Sequence, residues 1–397
     1  MCSCPSYRED HMKRNLFRAI RIVSLVLAVC LTVGLLQEFV FVHADHNRQR
    51  LKGFYEEDEK SLDIVYMGAS EVYSDIAPGY AYQNGGVTSY LFATQANSIL
   101  NYKSQLKNIL SRQDPDLIVI ELNGAVYAEG ESGETTKEAN LHNYGDHVPL
   151  DAVKLEWVTQ SVRENHLEYL FPFFKYHGFW SELDDKERQK YMKTIGQDQS
   201  RGYGYLKGVL NETNIFQNTQ RSMNESLPQS ANVKEPLNKL EEKTLRELLQ
   251  FCKDEKLDNV VFARFPHIVV RRTFDRFARG NTVGDIVKEY GFDYLNFERD
   301  IAMTKLDENK DFYNLDHLNV YGQQKFTAFL TDYLKAHYGV SPRTLSDRQK
   351  EEWDECADYY QAYYTYSDKL IRSGERRELS EDWELIETLR EYLPKQK

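Results

Sequence analysis

Two residues carry the chemistry most directly readable in this chain. Ser70 stands in Leu62-Asp63-Ile64-Val65-Tyr66-Met67-Gly68-Ala69-Ser70-Glu71, where an apolar, β-rich run stops at a glycine and a hydroxyl follows two residues later. His317 stands in Asn314-Leu315-Asp316-His317-Leu318-Asn319, just ahead of a helical pattern. A hydroxyl at a strand end and an imidazole on a late loop are the two parts that nucleophilic acyl transfer requires. The neutral imidazole takes the serine proton and returns it to the leaving group. It must be held at Nδ1, and the position three residues earlier, where Asp is usual, is Asn314. An amide oxygen orients the ring, as in Cys-His-Asn enzymes, but stabilises imidazolium less than a carboxylate does. Asp316 and Asp311 are carboxylates near enough in sequence to take its place. Alone, a Gly-x-Ser after a strand equally describes a turn or a helix cap.

The elements that must position these residues alternate. Leu62–Met67, Leu117–Leu122, Asn259–Arg264 and Asp293–Phe297 read as strands, short and apolar. Gln95–Leu110, Leu237–Lys256, Thr282–Tyr290 and Gly322–His337 read as helices, and Asn84-Gly85-Gly86 as a turn. Strands separated by helices of this length imply crossover connections and a mainly parallel sheet, with ligands gathered at the carboxyl ends of its strands. Residues 124–233 interrupt the rhythm as a long insertion with a polar, loop-like start. In the final 57 residues, 341–397, Ser346 and Gln349 form a capping box ahead of a Tyr-rich helix that Gly374 ends, and Ser380 starts a last short helix. This tail reads as a helical hairpin packed on the domain or on a partner.

The N-terminus suggests a membrane. Lys13, Arg14, Arg18 and Arg21 precede an apolar stretch over residues 22–42, enough to cross the ~30 Å hydrocarbon layer as a helix. The basic flank belongs on the cytoplasmic side, which leaves residues 1–21 inside, 43–61 as a charged linker and the rest outside. A cleaved signal peptide is the rival, with Val42-His43-Ala44 as the cleavage region, but Gln37-Glu38, Phe39 and Phe41 make a poor approach to such a site. A formal charge of −12 argues against nucleic-acid binding, and 41% apolar residues support a full core. Of five cysteines, only Cys252 and Cys356 fall in the outer part; they could pair there, but do not make a disulfide framework.

Taken together, these blocks resemble the SGNH (GDSL-like) hydrolase superfamily, and within it the membrane-anchored, envelope-modifying members of the DltD type and the AlgJ/AlgX type. Gly68-Ala69-Ser70-Glu71 resembles the nucleophile block, with Ala69 where Asp is usual. Asn84-Gly85-Gly86-Val87-Thr88-Ser89 resembles the second block, with Ser89 in place of its last glycine. Asn123 sits where the third-block asparagine would stand, although Glu121-Leu122-Asn123-Gly124 departs from the family's Gly-x-Asn-Asp. His317, Leu318, Asn319 and Gly322 resemble the last block. The resemblance covers residues 62–340 apart from the insertion. It implies a flavodoxin-like three-layer α/β/α domain in which Ser70 attacks an ester carbonyl and His317 acts as base and then acid. Backbone N–H groups at Ser70 and Ser89, with the Asn123 amide, would hold the oxyanion. No metal or organic cofactor is needed. The implied substrate is an acylated polysaccharide or envelope polymer, and the implied partner a membrane O-acyltransferase. The competing readings are an idle SGNH-like scaffold of an acylation or export complex, and a lipid-directed esterase.

Other candidates are weaker. His142, Asp146 and His147 could begin a metal site but lack a third firm ligand. Residues 169–180 hold seven aromatics in twelve positions, and could form a sugar-stacking wall or a membrane-facing patch; burial against the sheet is the preferred reading. Arg264 and His267 could bind an anionic substrate or pair with carboxylates. Asn211 and Asn224 head Asn-x-Ser/Thr triplets.

Overall fold

In the computed structural model, residues 5–40, 46–128, 130–131, 133–186, 188–189, 204–375 and 385–393 are described. The helices and strands, in chain order, are α1 (Pro5–Val40), α2 (His46–Glu56), β1 (Ile64–Gly68), α3 (Ser70–Asp75), α4 (Pro78–Gly85), β2 (Ser89–Ala93), α5 (Ile99–Arg112) and β3 (Leu117–Glu121). Then come α6 (Glu138–Gly145), α7 (Ala152–Ser161), α8 (His166–Leu170), α9 (Phe173–Tyr176), α10 (Phe179–Glu182), α11 (Lys239–Asp254) and β4 (Val260–Arg264). The chain finishes with α12 (Phe274–Glu289), β5 (Tyr294–Asn296), α13 (Val320–Tyr338), α14 (Asp347–Ser373) and α15 (Leu385–Arg390). The chain forms two units: Met1–His43 with Glu164–Gln197, and Ala44–Arg163 with Asp198–Lys397.

The larger unit is built on a five-stranded sheet in the order β2-β1-β3-β4-β5, parallel throughout. The first four strands along the chain are buried at every position, which is why they read as continuous rather than alternating apolar runs. Every strand pair is parallel, so each strand's return needs a crossover, and the helices between strands supply it. Ser98 caps α5 by accepting from Leu100 N–H, and Asn238 caps α11 by accepting from Leu240 and Glu241 N–H. The capping box of Ser346 and Gln349 opens α14, and Gly374, in the left-handed region at φ 71°, ends it. The position of Ser380 lies outside the described residues.

The structure departs from the sequence reading at several points. Residues 89–93 form an edge strand, β2, buried at every position, in a stretch where the sequence reading assigned only the turn at Asn84-Gly85-Gly86. Helices α3 and α4 fill the stretch between β1 and β2, and α12 starts eight residues before the expected Thr282. The supposed linker is structural from His46 onward: α2 packs against β2, with Arg50 fully buried, its Nε donating to Gly208 O (2.7 Å) and its guanidinium 3.7 Å from the Tyr73 ring centre. The tail packs on its own domain: α14 covers α4, and Tyr360, Tyr363, Leu370, Leu385 and Leu389 join the same core cluster as Tyr66, Leu91, Val119 and Val261. Arg343, between α13 and α14, donates to buried Asp63 at the start of the sheet (2.9 Å). Cys252 and Cys356 are both buried and free, so the possible disulfide is absent. Asn211 and Asn224 are buried as well, Asn224 donating to His267 O (3.0 Å).

In the smaller unit, α1 contains a 25-residue stretch, Met12–Leu36, long and apolar enough to cross a membrane and with none of its most apolar window buried. The end of the expected 22–42 span lies beyond the described residues. Helix α9 packs against α1. The aromatic block therefore falls in the same unit as the N-terminal helix.

Candidate active site

Ser70 is placed by a sharp exit from β1. Gly68 has φ 154°, and a Cβ there would lie 2.8 Å from the Glu121 side chain and 2.9 Å from Val72. Only glycine serves at such a position. Ala69 is the N-cap of α3, and Ser70 is the first helical residue. Ser70 is therefore not a helix cap, and its hydroxyl is free for another partner. That partner is His317: Ser70 Oγ lies 2.8 Å from His317 Nε2, across 247 positions of sequence. Both side chains are half-buried at the carboxyl end of the sheet.

Asn314 holds the histidine from behind. Its Oδ1 accepts from the backbone N–H of Asp316 (2.7 Å) and of His317 (2.9 Å), an Asx-type turn, and lies 3.1 Å from His317 Nδ1. With Nδ1–H donating to that amide oxygen, Nε2 is left as an acceptor for the serine proton; this tautomer is the one the contacts satisfy. The loop is anchored to the helix that carries Ser70, since Leu318 N donates to Asp75 Oδ1 (2.9 Å) and Gln323 Nε2 to Ser74 O (2.8 Å). Burial lowers the His317 pKa. The Glu71 and Asp316 carboxylates push it back up and His267 and Arg276 down, leaving it below the ordinary imidazole value and the ring neutral. The other two carboxylates expected near it face elsewhere. Asp316 pairs with Arg276 (3.1 Å), and Asp311 with Lys325 (2.6 Å).

The expected oxyanion donors fare differently. Ser89 pairs in register with Ile64, at the amino end of β1, whereas Ser70 follows the carboxyl end at Gly68. Four residues of strand, on the order of 13 Å, separate the two levels, so Ser89 cannot face the serine. The Asn84-Gly85-Gly86 segment ends α4 just ahead of β2 and so lies at the amino end of the sheet. The backbone beside Ser70 is instead the stretch after Ala93, where buried Asn97 donates to Gly68 O (2.9 Å). Asn123 does come near, in the turn after β3, but its amide nitrogen donates to Glu71 and to Tyr127 OH (2.9 Å), and its oxygen accepts from Arg264 (2.7 Å).

Glu71, adjacent to the nucleophile, was passed over in sequence because a carboxylate after a serine carries no signal by itself. It is fully buried, with Oε2 3.4 Å from Ser70 Oγ. Burial raises its pKa, but the adjoining His267 and His317 imidazoles outweigh that and leave it lowered. Its neighbour Glu121 is pushed well up by burial and by the Glu71 charge, so the pair holds one proton. Arg264 is used structurally: it is buried and forms a two-point pair with Glu298 (3.0 and 2.8 Å). The His267 ring, also buried, lies 3.6 Å from Glu71 and 3.5 Å from Glu298. Both follow the pairing alternative rather than anion binding.

His142 and Asp146 bond each other (2.7 Å), and no ligand group of His142, Asp146 and His147 forms among the described residues. No protein-family model matches this chain, and no curated protein matches it.

Proposed function

We propose that this protein is an extracytoplasmic serine O-acyl esterase or acyltransferase of the SGNH type, anchored by α1 with its N-terminus in the cytoplasm and acting on a cell-envelope or secreted polysaccharide. The observation that carries the reading is the relay from Ser70 through His317 to Asn314 at the carboxyl end of a parallel sheet. The strand order 2-1-3-4-5, that of flavodoxin-like doubly wound sheets, supports the three-layer α/β/α arrangement. In the reaction, Ser70 Oγ attacks the ester carbonyl as its proton passes to His317 Nε2. The leaving alcohol takes that proton, and an acyl-serine remains. Water or a sugar hydroxyl, deprotonated by the same nitrogen, then releases the acyl group. Hydrolysis and transfer differ only in which acceptor arrives. A membrane O-acyltransferase would be the natural acyl donor partner.

A second reading, an idle scaffold, is favoured by one feature: the Asn123 amide is committed to Glu71 and Tyr127 and is not directed at an oxyanion. Labelling with a fluorophosphonate separates the two. The enzyme reading expects covalent labelling that is lost in Ser70→Ala and in His317→Ala while the melting transition persists. Folded wild-type protein that takes no label would leave the scaffold.

A further inference from the structure

The aromatic block is the part of the molecule that the acyl-transfer reading does not use. Residues 169–180 carry seven aromatic side chains and a single charged residue, Lys175. They fold as the short helices α8 to α10, joined by tight turns, within the unit that contains α1. Their rings meet one another: Phe171 with Phe174 at 6.3 Å, Phe173 with Phe174 at 6.0 Å, and Phe173 with His177 at 6.0 Å. Tyr169 is buried, yet Phe174 is 45% exposed and Leu167 61%. That exposure is unusual beside so apolar a neighbour.

From Met12 to Leu36 every residue of α1 is exposed except Val33, which is half-covered. Helix α9 packs against α1, and Val33 is the one partly covered position between Met12 and Leu36. Val33 stands one turn before Gln37-Glu38, where the apolar stretch meets its first carboxylate. It lies 12 residues beyond Arg21, the last of the basic flank. A Tyr-, Trp- and Phe-rich block packed on an apolar helix matches the composition of the membrane–water boundary.

We infer that residues 167–180 form a membrane-interfacial element, seated in the outer boundary of a phospholipid bilayer beside the exit of α1, with Leu167 and Phe174 facing lipid. The inference rests on α1 crossing the membrane and is independent of the serine chemistry. Elements of this kind insert about 5–10 Å into the headgroup and acyl boundary. The Lys175 ammonium, 5.8 Å from the Tyr176 ring centre, is of the type that reaches back to headgroup phosphates.

The test uses the full chain in vesicles of phosphatidylethanolamine and phosphatidylglycerol. Cys2, Cys4 and Cys30 are replaced by serine; Cys252 and Cys356 are buried, their thiols pushed by burial to about 12, and resist labelling. Single nitroxides at Phe174→Cys, and in a second protein at Leu167→Cys, are compared with Leu25→Cys on α1 and Leu155→Cys on α7. The ratio of collisions with oxygen to collisions with a water-soluble nickel chelate reports depth. The inference expects ratios at 174 and 167 between the aqueous value at 155 and the deeper value at 25. Values at both equal to that at 155, with 25 buried in lipid, overturn the interfacial element and leave the anchor. An aqueous value at 25 removes the anchor and this inference together, and leaves the fluorophosphonate result untouched.

Discussion

Replacing Asn314 by Asp probes the relay at its least ordinary member. The two side chains have the same shape, and a carboxylate can accept the same contacts from Asp316 N, His317 N and His317 Nδ1. What changes is one negative charge, 3.1 Å from the Nδ1 atom in the present structure. A unit charge about 4 Å from the centre of an imidazolium is worth ~4 kcal/mol at the effective dielectric of a protein surface. That is about 3 pK units at 1.36 kcal/mol each. Desolvation of the new carboxylate offsets part of it, which leaves the usual range of about 1–3 units for an adjacent opposite charge. In the native protein burial holds His317 below the ordinary imidazole value. The base is then in its active form down to mildly acidic pH. In Asn314→Asp the acidic limb of the rate should move up by those 1–3 units. The assay is the pH dependence of fluorophosphonate labelling, or of kcat/KM on a nitrophenyl ester if turnover is seen. A limb that stays in place, in a variant with unchanged melting, would mean that Nδ1 does not bond position 314 in solution, or that His317 is not the base.

The opposite sign is expected from Glu71→Gln. The Glu71 charge raises the His317 pKa, so removing it should move the same acidic limb down, and a shift in the upward direction would contradict the placement of that carboxylate. Gly322→Ala should lower stability by about 1–3 kcal/mol, measured in urea, because the new methyl collides with the Asp311 carbonyl oxygen and overpacking costs on that order. Glu212 is raised by burial to about 7, so its contribution to stability is present below the ordinary carboxyl value near 4.5 and is lost as pH rises through 7. Glu212→Gln should accordingly stabilise the fold by about 1–3 kcal/mol at pH 8, allowing for its partial exposure, and have little effect at pH 4. Urea midpoints at the two pH values check this.

Local signals made much of the site legible in the sequence. A glycine-terminated apolar run places Ser70, and an Asn three residues before His317 forms its own turn, so both halves of the relay were readable within ten-residue windows. The β-branched strands β1, β3 and β4 and the capped helices were readable for the same reason. What failed depended on distant partners. Strand β2 is as long as β1, β3 and β4, but its Ser-Tyr-Leu-Phe-Ala run directly follows the more conspicuous turn at Asn84-Gly85-Gly86, which drew the reading to the amino end of the strand. Helix α2 buries Asn47, Arg48, Gln49 and Arg50, a polar face that no apolar periodicity could reveal, because it is satisfied by contacts such as that of Arg50 with Gly208. The aromatic block had no sequence clue that α1, more than a hundred residues away, is its neighbour. Glu71 acquires meaning only when β3 and β4 bring Asn123 and His267 beside it.

The way α14 closes the core has a consequence for biogenesis. Tyr360 OH donates to Gln323 Oε1 (3.1 Å), and the same amide donates to Ser74 O at the end of the nucleophile's helix. Tyr360 lies 43 residues beyond His317 and so leaves the ribosome after it. A nascent chain halted before it has the sheet and the histidine loop, but Gln323 lacks that buttress. Proteins of this size fold through intermediates, and a late-made brace delays their last step. The end of the helix that carries Ser70 should thus gain this brace only after α14 has emerged, later than the sheet and the histidine loop.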